Sequence, residues 1–181
     1  ETRQVLEVVV TALNGDKRIY KINVTKIDDG TIIKPIEDIL NNVSVKFNDK
    51  YISGINVGTD ISKLTNNINN YANTNNTKIT ISYKDYQGNI KTSGSFKTGD
   101  VVIINNGIKD YTYEIVIKGD LDKDGEVTIL DLLFMKKIIL NSISSNNLER
   151  MAGDIDLDGK VTILDLLELK KDILNTKKII Q

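Results

Sequence analysis

Two short strings concentrate the acidic side chains of this sequence. DLDKDGEVTILD occupies positions 120 to 131, and DIDLDGKVTILD repeats it about 34 residues later, at 154 to 165. With the first aspartate as loop position 1, carboxylates stand at positions 1, 3, 5 and 12. They are Asp120, Asp122, Asp124 and Asp131 in the first copy, and Asp154, Asp156, Asp158 and Asp165 in the second. Position 6 is glycine in both, Gly125 and Gly159. This is the spacing of a calcium loop. Alternate carboxylates of a tight turn converge on one centre, glycine permits the bend, and position 7 offers a backbone carbonyl. Position 9 reaches the ion through water, and position 12 arrives from the first turn of the next helix. Positions 7 and 9 are Glu126 and Thr128, then Lys160 and Thr162. Six or seven oxygens in a flexible loop suit calcium better than magnesium, which prefers six short bonds and keeps its waters. Two calcium ions are therefore expected. Without a cation the carboxylates would repel one another, resist ionisation and leave the loop poorly ordered. An acidic solvated turn is the plain alternative, and it does not explain two copies with the full spacing.

Other chemistries are narrowed by what the sequence lacks. Histidine and cysteine are both absent, which rules out Ser-His-Asp triads, Cys-His dyads, Cys/His zinc sites and disulfides within these 181 residues. Net charge is −1, so bulk electrostatics favours neither nucleic acid nor a membrane surface. No apolar run approaches the roughly 18 residues of a bilayer span, and no secretory leader opens the sequence, which reads as a mature fragment. Scattered acids such as Asp28, Glu37, Asp85 and Glu114 form no readable carboxylate pair for glycoside chemistry. Neither catalysis nor a small-molecule substrate is expected here.

The elements that must position the loops differ along the chain. VLEVVVTALNGDKRIYKINVTKI (5 to 27) reads as two β-branched strands joined around Asn14-Gly15, a strong hairpin signal. Residues 1–29 either pair with the sheet downstream or end a β-sandwich truncated at residue 1. The second reading is preferred because the segment resembles the closing hairpin of cadherin-like repeats of bacterial surface proteins. Residues 30–118 begin with turn chemistry at Asp28-Asp29-Gly30 and a short helix whose first turn holds Pro35. Strands are expected at 45–47 and 51–57. A helix follows in DISKLTNNINNYA, capped by Asp60, with Ile61, Leu64, Ile68 and Tyr71 on one face. Four more strands are expected, in KITISYK, IKTSGSFK, DVVII and YTYEIVIK. The asparagine tract is read as a compositional bias over one helix and its exit. The whole is a small β-rich domain, Ig-like or α+β, with a mostly antiparallel sheet.

At residue 119 the strand pattern stops and helical patterns take over, with almost no linker. Residues 119–181 are expected to be an all-α fold of paired calcium loop-helix motifs, rigid against the preceding domain. Leu132, Leu133, Met135, Ile139 and Leu140 give one helix an apolar face, and Leu166, Leu167, Leu169, Ile173 and Leu174 do so for the other. SNNLERMAG supplies a short helix between them, capped near Ser145 or Asn146. So small a unit buries little core by itself, and metal binding can make up the deficit.

GDLDKDGEVTILDLL and GDIDLDGKVTILDLL, with their spacing, make the last third resemble a type I dockerin: two calcium loop-helix repeats joined by a middle helix. The resemblance implies calcium-dependent docking to a cohesin module, outside the cell, in cellulosomes or related surface assemblies that degrade polysaccharide. Family recognition lies at loop positions 10, 11, 17 and 18. Here those are Ile129, Leu130, Lys136 and Lys137, and Ile163, Leu164, Lys170 and Lys171, identical in both copies. Many dockerins carry small or hydroxylated residues at 10 and 11, so Ile-Leu departs from the pattern. A near two-fold surface of this kind could present either helix. The domain before it is reminiscent of an X module, on the TGDVVII…YTYEIVIKGD run-in. Two readings compete with docking at these residues. Ile129, Leu130, Ile163 and Leu164 could pack inside the molecule, and calcium could then rigidify a structural cap that has no external partner.

Overall fold

A computed structural model describes residues 3–25, 32–43 and 45–181. Asp28 and the turn expected at Asp28-Asp29-Gly30 lie outside the described residues. The chain divides into two compact units, Glu1–Ile32 and Ile33–Gln181.

In the first unit, β1 (Arg3–Thr11) and β2 (Lys17–Thr25) pair antiparallel from Arg3 opposite Thr25 to Thr11 opposite Lys17. The reversal falls where Asn14-Gly15 predicts it. Gly15 takes φ +89°, its N–H donates to the Ala12 carbonyl at 2.9 Å, and Asn14 bonds the Asp16 carboxylate at 2.7 Å. The ribbon is a two-stranded sheet of its own, so its strands do not join the downstream sheet.

The second unit begins with α1 (Ile36–Asn42), led by Pro35 as its N-cap, just outside the first turn. Then follow β3 (Lys46–Phe47), β4 (Tyr51–Ser53), α2 (Ile61–Thr74), β5 (Thr80–Lys84), β6 (Val101–Asn105) and β7 (Asp110–Ile115). The five strands form one sheet in the order β3-β4-β7-β6-β5, antiparallel throughout except for β4 beside β7. Asp60 caps α2 by accepting from the Ser62 N–H at 2.8 Å. Ile61, Leu64, Ile68 and Ala72 face the core while Asn66, Asn67, Asn69 and Asn70 are exposed, so the asparagine tract is one solvated helix face. Tyr71 is only half-buried.

Two strand expectations fail for local reasons. The strand from Tyr51 ends at Ser53 because Gly54 turns to φ +81°. Residues 90–97 make only single bridges, Lys84 to Ile90 and Asp60 to Ser95. Gly94 at φ +90° breaks the extension, and the Lys91 ammonium folds onto the Ser95 carbonyl and the Asp100 carboxylate, both at 2.5 Å. Phe96 is thereby turned into the core, edge-on to Tyr83.

From β7 the chain passes through Val116, Ile117 and Lys118, all buried, straight into the first acidic loop. Three helices follow: α3 (Ile129–Ile139), α4 (Asn147–Gly153) and α5 (Ile163–Ile173). Asn146 and Glu149 form a capping box on α4. Leu121, Met135 and Leu169 are the centre of this part, flanked by Val127, Ile155, Val161 and Ile179. Val116 packs with Leu148, Ala152 and Tyr51, which places α4 against the sheet. The apolar helix faces are narrower than expected: Leu133, Leu140, Leu167 and Leu174 are exposed, because a 100° stripe cannot include both them and Met135 or Leu169. No helix among the described residues is long and apolar enough to cross a membrane.

Candidate metal centres and docking helices

Each acidic loop is closed by its last aspartate. Asp131 Oδ1 accepts from the Leu121 and Asp122 N–H groups at 2.8 and 3.2 Å, and its Oδ2 accepts from Thr128 N–H at 2.8 Å. Asp165 does the same with Ile155, Asp156 and Thr162 at 2.7, 3.1 and 2.7 Å. Both carboxylates are fully buried. The last of those bonds is also half of a capping box, completed by the Thr128 and Thr162 hydroxyls accepting from the Asp131 and Asp165 N–H groups. The same hydroxyls accept from Leu130 and Leu164 N–H at 3.1 Å. One aspartate thus closes the loop and starts the helix. The T-x-x-D in both copies signals this second role, a variant of the usual capping box.

Three of the four expected carboxylates cluster in each loop, and the sets differ between copies, leaving out Asp124 in the first and Asp165 in the second. Carboxylate oxygens of Asp120, Asp122 and Asp131 lie within 4.8 Å of one another, as do those of Asp154, Asp156 and Asp158. Asp124 and Asp158 also brace the turn, accepting from Glu126 and Lys160 N–H at 2.8 Å. The Glu126 and Lys160 side chains are exposed, so only their backbone could serve an ion. At position 4, Lys123 and Leu157 adopt φ +68° and +66°, matching between copies to within 2°.

The first aspartate of each loop carries the chemical signature. Asp120 Oδ1 and Asp154 Oδ1 are buried and have no hydrogen-bond partner. A buried carboxylate oxygen without a partner is costly unless a cation meets it. Burial pushes Asp120 up to about 6, against the N–H bond it receives from Thr98 at 2.7 Å. Asp122 is also raised, by burial and then by the Asp131 charge. A divalent ion would reverse both effects. The donor set is all oxygen, which fits a hard cation.

Contacts remote in sequence hold these loops, and no local pattern announces them. Thr98 supplies the bond to Asp120, and its hydroxyl both donates to the Ile117 carbonyl and accepts from the Ile117 N–H at 3.2 Å. Lys118 donates to the Met151 carbonyl at 2.7 Å and to the Asp154 carbonyl, tying β7 to the C-terminus of α4. Burial lowers its pKa. The Gln181 amide brackets the Lys118 backbone, accepting from its N–H at 2.7 Å and donating to its carbonyl at 3.1 Å. At its glycine, loop 1 is pressed on the sheet domain, whereas the glycine of loop 2 faces open space. A Cβ on Gly125 would come within 2.9 Å of Lys97 and 3.2 Å of the Phe96 carbonyl, and one on Gly159 would meet nothing within 4 Å.

Residues 118–174 match the family model described as the dockerin type I domain. The chain carries a dockerin domain. A solved structure described as the third cohesin ScaC in complex with the ScaB dockerin, from Acetivibrio cellulolyticus, has a chain 24% identical to this one. The likeness covers 36% of this chain and 92% of that one, with a TM-score of 0.34. No curated protein matches the chain.

Both dockerin helices present their Ile-Leu pair outward. Ile129 and Leu130 are 57% and 56% exposed, and Ile163 and Leu164 are 63% and 57%. They do not pack into either core, so the intramolecular packing considered for them is not what the chain does. Leu133 and Leu167 extend the two strips, each 47% exposed. Lys136, Lys137 and Lys170 are exposed, and Lys171 is half-buried. Two of the scattered acids upstream have structural partners: Asp85 closes the turn to Gln87 and Asn89, and Glu114 faces Lys50 at 3.8 Å.

Proposed function

We propose that this chain is a noncatalytic docking module. Its dockerin binds two calcium ions and attaches a secreted or surface bacterial protein to a cohesin-type module, in an assembly acting on polysaccharide or cell wall. The observation that carries the reading is the dockerin match over 118–174, which spans both acidic loops. Asp120, Asp122, Asp124 and Asp131 hold one ion and Asp154, Asp156, Asp158 and Asp165 the other. The Glu126 and Lys160 carbonyls complete the shells, and Thr128 and Thr162 lie at the water-bridged position. The orphaned Oδ1 atoms of Asp120 and Asp154 support this set. When bound, calcium neutralises the crowded carboxylates and fixes the first turns of α3 and α5. Residues 30–118 are the X-module-like support against which loop 1 is braced, and residues 1–29 belong to a neighbouring β-sandwich.

A calcium-rigidified cap with no external partner would have its Ile-Leu pairs covered. Exposure of all four of these side chains favours docking instead. Calorimetric titration with calcium, then capture on a cohesin panel with and without chelator, tests the proposal. Two ions per chain and chelator-sensitive capture are expected. One ion or none contradicts the ligand set, and no capture by any cohesin at millimolar calcium overturns docking.

A further inference from the structure

The two docking strips match at their start and part company one turn later. Position 15 is Phe134 in α3 and Glu168 in α5, and position 19 is Ile138 against Asp172. On α5 the two acids are occupied from within the chain. Glu168 takes Lys171 at 2.7 Å and Lys177 at 2.5 Å, and Asp172 takes Lys178 at 3.5 Å and the Ile179 N–H at 3.0 Å. These bonds hold residues 177–179 beside α5, where Leu164 and Leu167 share a groove with Lys177 and Ile180. On α3, Phe134 and Ile138 pack toward the core instead, so the equivalent lysine has no carboxylate at those positions to pair with. Lys137 is exposed and unpaired among the described residues, whereas its counterpart Lys171 is half-buried and paired.

We infer that the two-fold repeat is broken for docking, and that the cohesin-type partner seats on α3 through Ile129, Leu130, Leu133 and Lys137. The inference rests on the docking function proposed above. The partner face it implies is apolar and bordered by a carboxylate that meets Lys137. The chain displays that pairing internally, because Glu168 already does for Lys171 what the partner's acid does for Lys137. On α5 an incoming carboxylate would have to displace Glu168, and an incoming apolar surface would have to clear or accommodate the 177–180 segment. On α3 the same partner displaces only water, and a charge at the edge of the strip can steer its approach.

The test uses the whole chain and one cohesin that binds it in millimolar calcium. Absence of any binding cohesin is a failure of the docking function, not of the choice between helices. Lys137→Ala is compared with Lys171→Ala, and the Ile129→Asn/Leu130→Asn double variant with Ile163→Asn/Leu164→Asn. Each variant's retained calcium stoichiometry confirms that it folds. The α3 change in each pair is expected to weaken binding by at least about fivefold more than its α5 counterpart, in line with the concentration of binding energy in a few central residues. Equal losses in the two series, or a larger loss on α5, overturn the inference. The lysine pair lies far from the loops and decides the matter even where an asparagine variant loses its ion.

Discussion

Asp120 combines three demands on one side chain: it is buried, it accepts a backbone N–H from Thr98, and one of its oxygens is left without a partner. Its carboxyl titrates near 6, above the ordinary range, because burial penalises the charge. Raised folded-state pKa means that, without metal, this group favours the folded state at low pH. That contribution declines as pH rises from about 4 through 6. Calcium requires the ionised form, so the dependence of binding runs the other way. Loop 1 affinity is expected to fall about tenfold between pH 7 and pH 5, measured by calcium titration at the two values. Asp120→Asn and Asp154→Asn should each reduce the stoichiometry from two ions to one. A variant that still binds two would remove its aspartate from the ligand set.

The loop-helix element is written almost entirely in local sequence. Aspartates at alternate positions turn the backbone, glycine relieves the bend, and Thr-x-x-Asp starts the helix with a reciprocal cap. Thr128→Ala and Thr162→Ala should each cost about 1 kcal/mol in urea unfolding of the calcium-free chain, the usual value of a lost N-cap. Both α3 and α5 end with asparagine in the left-handed region, Asn141 at φ +52° and Asn175 at φ +54°, so even their stops repeat. What the local pattern misjudged was the width of the apolar faces and the strand expected at 90–97. Periodicity marks which residues share a face but not how much of that face a neighbour covers, and the Lys91–Asp100 pair that bends the 90–97 segment closes across nine residues.

At the scale of the molecule, the two loops are unequal because only the glycine of loop 1 packs against the sheet domain. Gly125→Ala and Gly159→Ala alter the same loop position at the same φ of +87°, so the backbone strain is shared. Gly125 alone would drive a methyl against Lys97 and the Phe96 carbonyl. It should destabilise by about 1 to 2 kcal/mol more than Gly159→Ala, the size of a modest overpacking penalty. Calcium is expected to raise the melting temperature and, through the Thr98–Asp120 bond, to slow amide exchange in residues 96–100. At a thousandfold excess over its dissociation constant each ion contributes about 4 kcal/mol. Unchanged exchange there would separate loop 1 from the domain it touches.

The sequence by itself determined the two matching acidic loops, the caps of the helices that follow them and the turn chemistry, because within each copy these depend on residues within about twelve positions of one another. Tertiary structure decided that Thr98 reaches Asp120, that Lys118 and Gln181 brace the junction, and that the Ile-Leu pairs stay exposed. It also decided that Glu168 and Asp172 tether a lysine segment that α3 lacks. These contacts join groups brought together by packing, and packing follows from the summed burial of the whole unit, which no short window encodes.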